Sequence, residues 1–132
     1  MIFGIGVDIV EVKRFNKWVC DKNLICKYFN NKEIPSEIFC DNEKTIRQIN
    51  ALSQKLAARF ACKEAFSKAL GTGIIGFNLC DVYVENDENG KPLLKLENSA
   101  KEIFENLCKN GKIFVSISHE KEYAISNVII EI

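Results

Sequence analysis

Hydrophobic positions divide this chain into segments of two different periods. From Ile2 to Val12 the sequence is dense in Ile and Val and predicts a strand. From Lys13 to about Tyr28 the apolar positions Phe15, Trp18, Val19, Ile25 and Phe29 predict one helix. Residues 30–42 carry no period and predict a loop, with one short helix after Pro35, because proline suits a first helical position. The longest periodic segment runs from about Glu43 to Leu70. There Ile49, Leu52, Leu56 and Phe60 recur at three- and four-residue spacing, and Gly71-Thr72-Gly73 closes the helix. A strand at Asp81–Asn86 and a return strand at Leu93–Leu96 follow, joined through Asn89-Gly90, the strongest short hairpin signal. Ser99 and Glu102 predict a capping box ahead of Ile103, Phe104 and Leu107, and Gly111 ends that helix. Ile113–Ser118 and Tyr123–Ile132 predict a final strand pair. Strands and helices do not alternate strictly. The pattern therefore predicts an α+β fold, a mainly antiparallel sheet packed against one long helix.

Composition narrows the class. A chain of 132 residues has room for one domain with one modest core, so a single domain over 1–132 is expected. With 47% hydrophobic and 27% charged residues, the chain is globular rather than disordered. No apolar run approaches the ~20 residues that a membrane-spanning helix needs. The opening Met1–Asp8 lacks a basic n-region and a cleavage site. A cytoplasmic protein with no membrane partner is expected. The six cysteines are dispersed, with no C-x-x-C pair and no histidine at ligand spacing, which predicts reduced thiols used as small hydrophobes.

A formal net charge of zero argues against a generic nucleic-acid binder. The charge is nevertheless uneven. Lys13, Arg14, Lys17, Lys22, Lys27 and Lys32 face only Asp21 as an opposing charge in that stretch. This is either a surface for an acidic partner or a solvated, lysine-rich helix face.

Three features break local rules, and such breaks are where chemistry is sought. Asp8 sits inside a strand, on the same face as Gly4 and Gly6, where a ligand or another backbone can come close. A carboxylate there needs a partner, a hydrogen bond or a metal, or else it caps a neighbouring loop. The second feature is the far half of the long helix. Taking Leu56 as the centre of the apolar stripe, Lys63 falls roughly 20° from it, Arg59 roughly 60° and Glu64 roughly 80° on the other edge. A stripe that turns charged points to a cleft, although Glu64 with Lys68 also reads as an ordinary i,i+4 surface pair. The third feature is Ser116-Ile117-Ser118-His119, which puts the only histidine at a strand end beside two hydroxyls. The backbone of Gly71-Thr72-Gly73 offers N–H groups to a phosphate, and a helix C-cap explains those glycines equally well. Two carboxylates on separate elements with cations nearby suit one Mg²⁺ holding a phosphorylated substrate.

Taken in order, these segments resemble the holo-acyl-carrier-protein synthase family of phosphopantetheinyl transferases. The G-I-G-x-D-I opening matches Gly4–Ile9, followed by Glu11 and Arg14. The signature R-F-A-x-K-E-A-x-x-K-A-x-G-T-G matches Arg59–Gly73, N-G-K-P matches Asn89–Pro92, and S-I-S-H with Y-A matches Ser116–His119, Tyr123 and Ala124. The resemblance covers essentially the whole chain.

It implies that Asp8 and Glu64 bind Mg²⁺ together with the coenzyme A pyrophosphate. It further implies that Arg59, Lys63 and Lys68 lie around the phosphates, with Gly71 at the same site, and that His119 lines the coenzyme A pocket. Asp8, Glu64 and Lys68 would then be the catalytic set. The basic first helix from Arg14 would dock an acidic acyl-carrier protein, and the chain would form a homotrimer with each active site at a subunit boundary. The implied reaction moves 4′-phosphopantetheine from coenzyme A to a carrier serine in fatty acid biosynthesis. Carrier domains of polyketide or peptide synthases are the alternative acceptors, and a non-catalytic module that docks carrier or coenzyme A is a third reading. Two departures stand out: Ala58 replaces a frequent glycine, and Asn30 replaces the threonine of an L/F-T-x-x-E segment that keeps Glu33.

Overall fold

The computed structural model describes residues Met1–Ile132. Strand β1 (Ile2–Glu11) leads through a 3-10 turn at Val12–Phe15 into α1 (Asn16–Val19), α2 (Lys22–Tyr28) and a second 3-10 turn at Ser36–Phe39. The long helix α3 (Ile46–Leu70) follows, then a third 3-10 turn at Leu79–Asp81 and the strands β2 (Val82–Asn86) and β3 (Pro92–Leu96). Helix α4 (Asn98–Leu107) precedes the closing strands β4 (Lys112–His119) and β5 (Tyr123–Glu131). The strands form two antiparallel sheets, β1-β5-β4 and the separate hairpin β2-β3. The expected α+β class, the long helix and the antiparallel pairing are all present. The single sheet of the sequence reading is in fact two.

Gly4 and Gly6 set how closely the main sheet lies on α3. A Cβ at either position would stand 1.9 Å from a helix carbonyl oxygen, that of Ala69 for Gly4 and that of Ala65 for Gly6. The helix answers with small buried side chains, Ala57, Ala61, Ala65 and Ala69. The close approach that the glycines permit is thus to another backbone. Gly6→Ala is expected to destabilise the fold by about 2–3 kcal/mol, since a carbonyl of a rigid helix cannot step aside. Urea unfolding checks this, and a loss under about 0.5 kcal/mol would show that β1 rides freely away from α3.

An aromatic cluster of Phe15, Trp18, Phe29 and Phe60, with ring centroids 5.0–6.4 Å apart, fastens α1 and α2 to the middle of α3. The opposite face of the main sheet has no layer over it. Ile5, Val7 and Ile9 on β1 are 58%, 51% and 60% exposed, and Ile125 and Phe114 continue the apolar surface across β5 and β4.

Four local expectations are corrected. The single helix over 13–28 is broken at Cys20-Asp21, where the Asp21 carboxylate accepts from the Leu24 N–H and so starts α2 afresh. α3 begins at Ile46 rather than 43, because Thr45 and Gln48 form a reciprocal capping box. The Ser99–Glu102 box does not form. The Ser99 hydroxyl donates instead to the carboxylate of buried Asp81 and accepts from the Asn78 N–H at 3.0 Å, and α4 has no side-chain cap. Of the six free cysteines only Cys62 and Cys108 are buried, while Cys20, Cys26 and Cys40 are exposed.

Candidate active site

Alternation along β1 turns Asp8, like Gly4 and Gly6, toward α3. Its carboxylate accepts from Lys68 Nζ at 3.0 Å, and the same ammonium donates to the Val7 carbonyl at 2.9 Å. Lys68 therefore reaches across to the strand instead of forming the i,i+4 pair with Glu64 that its spacing allows. Glu64 is half-buried and its carboxylate makes no hydrogen bond. Burial, and after it the charge of Asp8, push the Glu64 carboxyl above its ordinary range, while Lys68 and Arg14 oppose the shift. Two carboxylates close enough to repel, with one uncommitted, form a donor pair that a cation would relieve. No group of three or more His, Cys, Asp or Glu side chains is placed so as to hold a metal ion by itself. A pair of this kind suits Mg²⁺, which takes one or two carboxylates and completes its shell with water and phosphate oxygens.

Arg14 borders this cluster. Its guanidinium lies 5.1 Å from the Phe60 ring centre and 5.6 Å from that of Phe15, so the core aromatics hold a cation at the mouth of the site.

Lys63 is elsewhere, which corrects the expectation that it lies around phosphates. Its side chain is fully buried. The ammonium meets the Glu33 carboxylate at 2.5 Å and donates to the carbonyls of Leu79, at 3.0 Å, and Val82. Glu33 is equally buried and also accepts from the N–H groups of Asn30 and Val84, at 2.9 and 3.1 Å. Burial pushes the Lys63 ammonium down from its usual value, and the Glu33 charge opposes that shift. The pair fastens the 30–34 loop and the start of β2 to α3. Gly71 adopts φ +81° as the helix C-cap, and its N–H is taken by the Ser67 and Lys68 carbonyls.

Arg59 and His119 do come together. Both line a cleft of about 240 Å³ walled by Asn86, Pro92 and Ile117, to which Lys55 also contributes. The Arg59 Nε–H is buried without an acceptor, and burial lowers the guanidinium pKa against the opposing charge of Glu33. None of Asp8, Glu64 or Lys68 lines this cleft. Within this chain the expected site residues thus fall into two separate groups, Asp8, Glu64 and Lys68 in one and Arg59 and His119 in the other. Lys55 was missed in the sequence because it stands outside every motif; its i,i+4 relation to Arg59 was the available signal.

The model of the 4′-phosphopantetheinyl transferase superfamily matches residues 4–128. A holo-[acyl-carrier-protein] synthase of Treponema denticola is 43% identical over 132 residues, covering 99% of each chain. One of Clostridium botulinum is 44% identical, covering 100% of this chain and 99% of the other. Among solved structures, a Bacillus anthracis holo-(acyl-carrier-protein) synthase in complex with CoA (3′,5′-ADP) superposes with a TM-score of 0.72 at 33% identity, over 98% of this chain and 96% of that one. The Plasmodium yoelii holo-ACP-synthase gives 0.79 at 31% identity, over 98% and 94%. Matched over nearly its whole length in sequence and sharing the fold of these relatives, this chain belongs to the 4′-phosphopantetheinyl transferase superfamily.

Proposed function

We propose that this chain is a Mg²⁺-dependent holo-acyl-carrier-protein synthase. It moves 4′-phosphopantetheine from coenzyme A to a serine of apo-acyl-carrier protein, serves fatty acid biosynthesis, and releases adenosine 3′,5′-bisphosphate. The observation that carries this reading is the Asp8–Lys68 contact beside the uncommitted carboxylate of Glu64, all three at the motif positions. Asp8 and Glu64 hold the metal, which when bound neutralises pyrophosphate charge. Lys68, tethered by Asp8 and the Val7 carbonyl, presents its ammonium to the phosphate whose charge grows as the serine hydroxyl attacks the β-phosphorus. Arg59 and His119 take the nucleotide end.

The two half-sites imply a composite site, in which the carboxylate cluster of one protomer meets the Arg59–His119 cleft of the next. The uncovered apolar face of β1-β5-β4 supports a homotrimer as the assembly. No helix is long and apolar enough to cross a membrane, in keeping with work in the cytoplasm. The exposed cations Lys13, Arg14 and Lys17 form the docking face for the acidic carrier. Arg14→Ala is expected to raise KM for the carrier about tenfold while leaving KM for coenzyme A within about twofold. Equal rises in both would move Arg14 from docking to coenzyme A binding.

The test of the reaction is intact-mass spectrometry of apo-acyl-carrier protein incubated with this protein, coenzyme A and Mg²⁺. A mass gain of one phosphopantetheine that vanishes with chelator is the expected result. No gain on several carriers, with the protein folded, would overturn the transferase reading.

A further inference from the structure

The cleft that holds Arg59 and His119 contains a cation that no motif accounts for. Lys55 stands on α3 one turn before Arg59 and lines the same cleft. It is exposed and forms no ion pair. It also borders a second cleft, of about 320 Å³, with Glu37, Glu43 and Lys44, yet it bonds to neither of those carboxylates. The Arg59 cleft contains no Asp or Glu. Lys55, Arg59 and His119 therefore share a cleft that no carboxylate lines, and the Arg59 Nε–H is buried there with no acceptor.

This is the chemistry of a phosphate monoester site. A dianion offers acceptor oxygens to a guanidinium fork and to an ammonium, and needs no metal. A metal-bridged diphosphate needs carboxylates, which this cleft lacks and the Asp8–Glu64 cluster supplies. Coenzyme A carries phosphate in two places, the pyrophosphate and the ribose 3′-phosphate. With the pyrophosphate at the carboxylates, the 3′-phosphate is the group left for the cation cleft, and Pro92 and Ile117 give apolar surface beside it.

We infer that Lys55 is a specificity residue that reads the ribose 3′-phosphate of coenzyme A together with Arg59 and His119. The inference rests on the transferase reading for its ligand. No bond changes at the 3′-phosphate, so Lys55 acts on affinity and KM and leaves kcat alone.

The experiment measures binding of coenzyme A and of dephospho-coenzyme A, by calorimetry with Mg²⁺, to the wild-type protein and to the Lys55→Met and Lys55→Arg variants. Lys55 is exposed and unpaired, so both variants keep the fold. The expected result is that Lys55→Met weakens coenzyme A about tenfold, leaves dephospho-coenzyme A within about twofold, and is restored by Lys55→Arg. Equal weakening of both ligands, or no change in either, overturns the inference. Absence of transfer by the wild-type protein, with coenzyme A still discriminated through Lys55, would mark failure of the transferase reading alone.

Discussion

Glu64→Ala is expected to reduce kcat/KM for phosphopantetheine transfer on the order of 100- to 1,000-fold, the loss that follows removal of one positioned electrostatic group. The variant should remain folded, and at neutral pH it should be no less stable than wild type. The Glu64 carboxylate accepts no hydrogen bond, and both burial and Asp8 disfavour its ionised form. A carboxyl whose folded pKa lies above its unfolded one favours the native state when protonated, and loses that contribution as pH rises from the ordinary carboxylate range through the raised folded value. Replacing it with alanine therefore removes a liability at pH 7 that is absent below about pH 4. Melting curves of both proteins at the two pH values, alongside steady-state kinetics, separate chemistry from folding. Near-wild-type turnover would remove Glu64 from the metal pair, and a collapse of stability at neutral pH would give it a structural role instead.

Lys63→Met is expected to do the opposite, destabilising the protein by about 3–5 kcal/mol, out of the ~5–15 kcal/mol typical of a whole domain. Methionine fills much of the same volume, so the loss is not chiefly a cavity. It arises because the Glu33 carboxylate, fully buried, is left without its cation, while the Leu79 and Val82 carbonyls lose a donor. Adding Glu33→Gln to Lys63→Met should recover part of the stability, since glutamine removes the buried charge, while its single carbonyl oxygen accepts from only one of the Asn30 and Val84 N–H groups that the two carboxylate oxygens serve. Denaturant unfolding of the two single variants and the double variant measures the coupling. A loss below about 1 kcal/mol for Lys63→Met, or no recovery in the double variant, would mean that the pair is not the buried, charged unit described here.

The contrast between Lys63 and Lys68 marks where sequence reading reaches its limit. Both lie in one signature on one helix, and both looked like phosphate ligands. Helical periodicity already put Lys63 near the middle of the apolar stripe, which is an interior address. The partner that makes an interior lysine tolerable, Glu33, lies thirty residues away, and no local pattern reveals a carboxylate that will fold over it. Ser99 shows the same limit on a smaller scale, because Asp81, eighteen residues earlier, draws off the hydroxyl that the local pattern assigned to a cap.

The features legible in the sequence were those whose physics is local. The Ile- and Val-rich run gave β1, three- and four-residue spacing ending at Gly71 gave α3, and Asn89-Gly90 gave the β2-β3 hairpin. Asp8 and Glu64 stood out because a carboxylate in a strand and a charged half-stripe each break the pattern around them. Tertiary structure alone decided which cation meets which carboxylate, that Gly4 and Gly6 face helix carbonyls, and that Lys55 shares a cleft with Arg59 and His119. Those outcomes depend on how α3 lies across β1 and against the β2-β3 hairpin, a long-range packing that minimises exposed apolar area and leaves no record in the spacing of neighbouring residues.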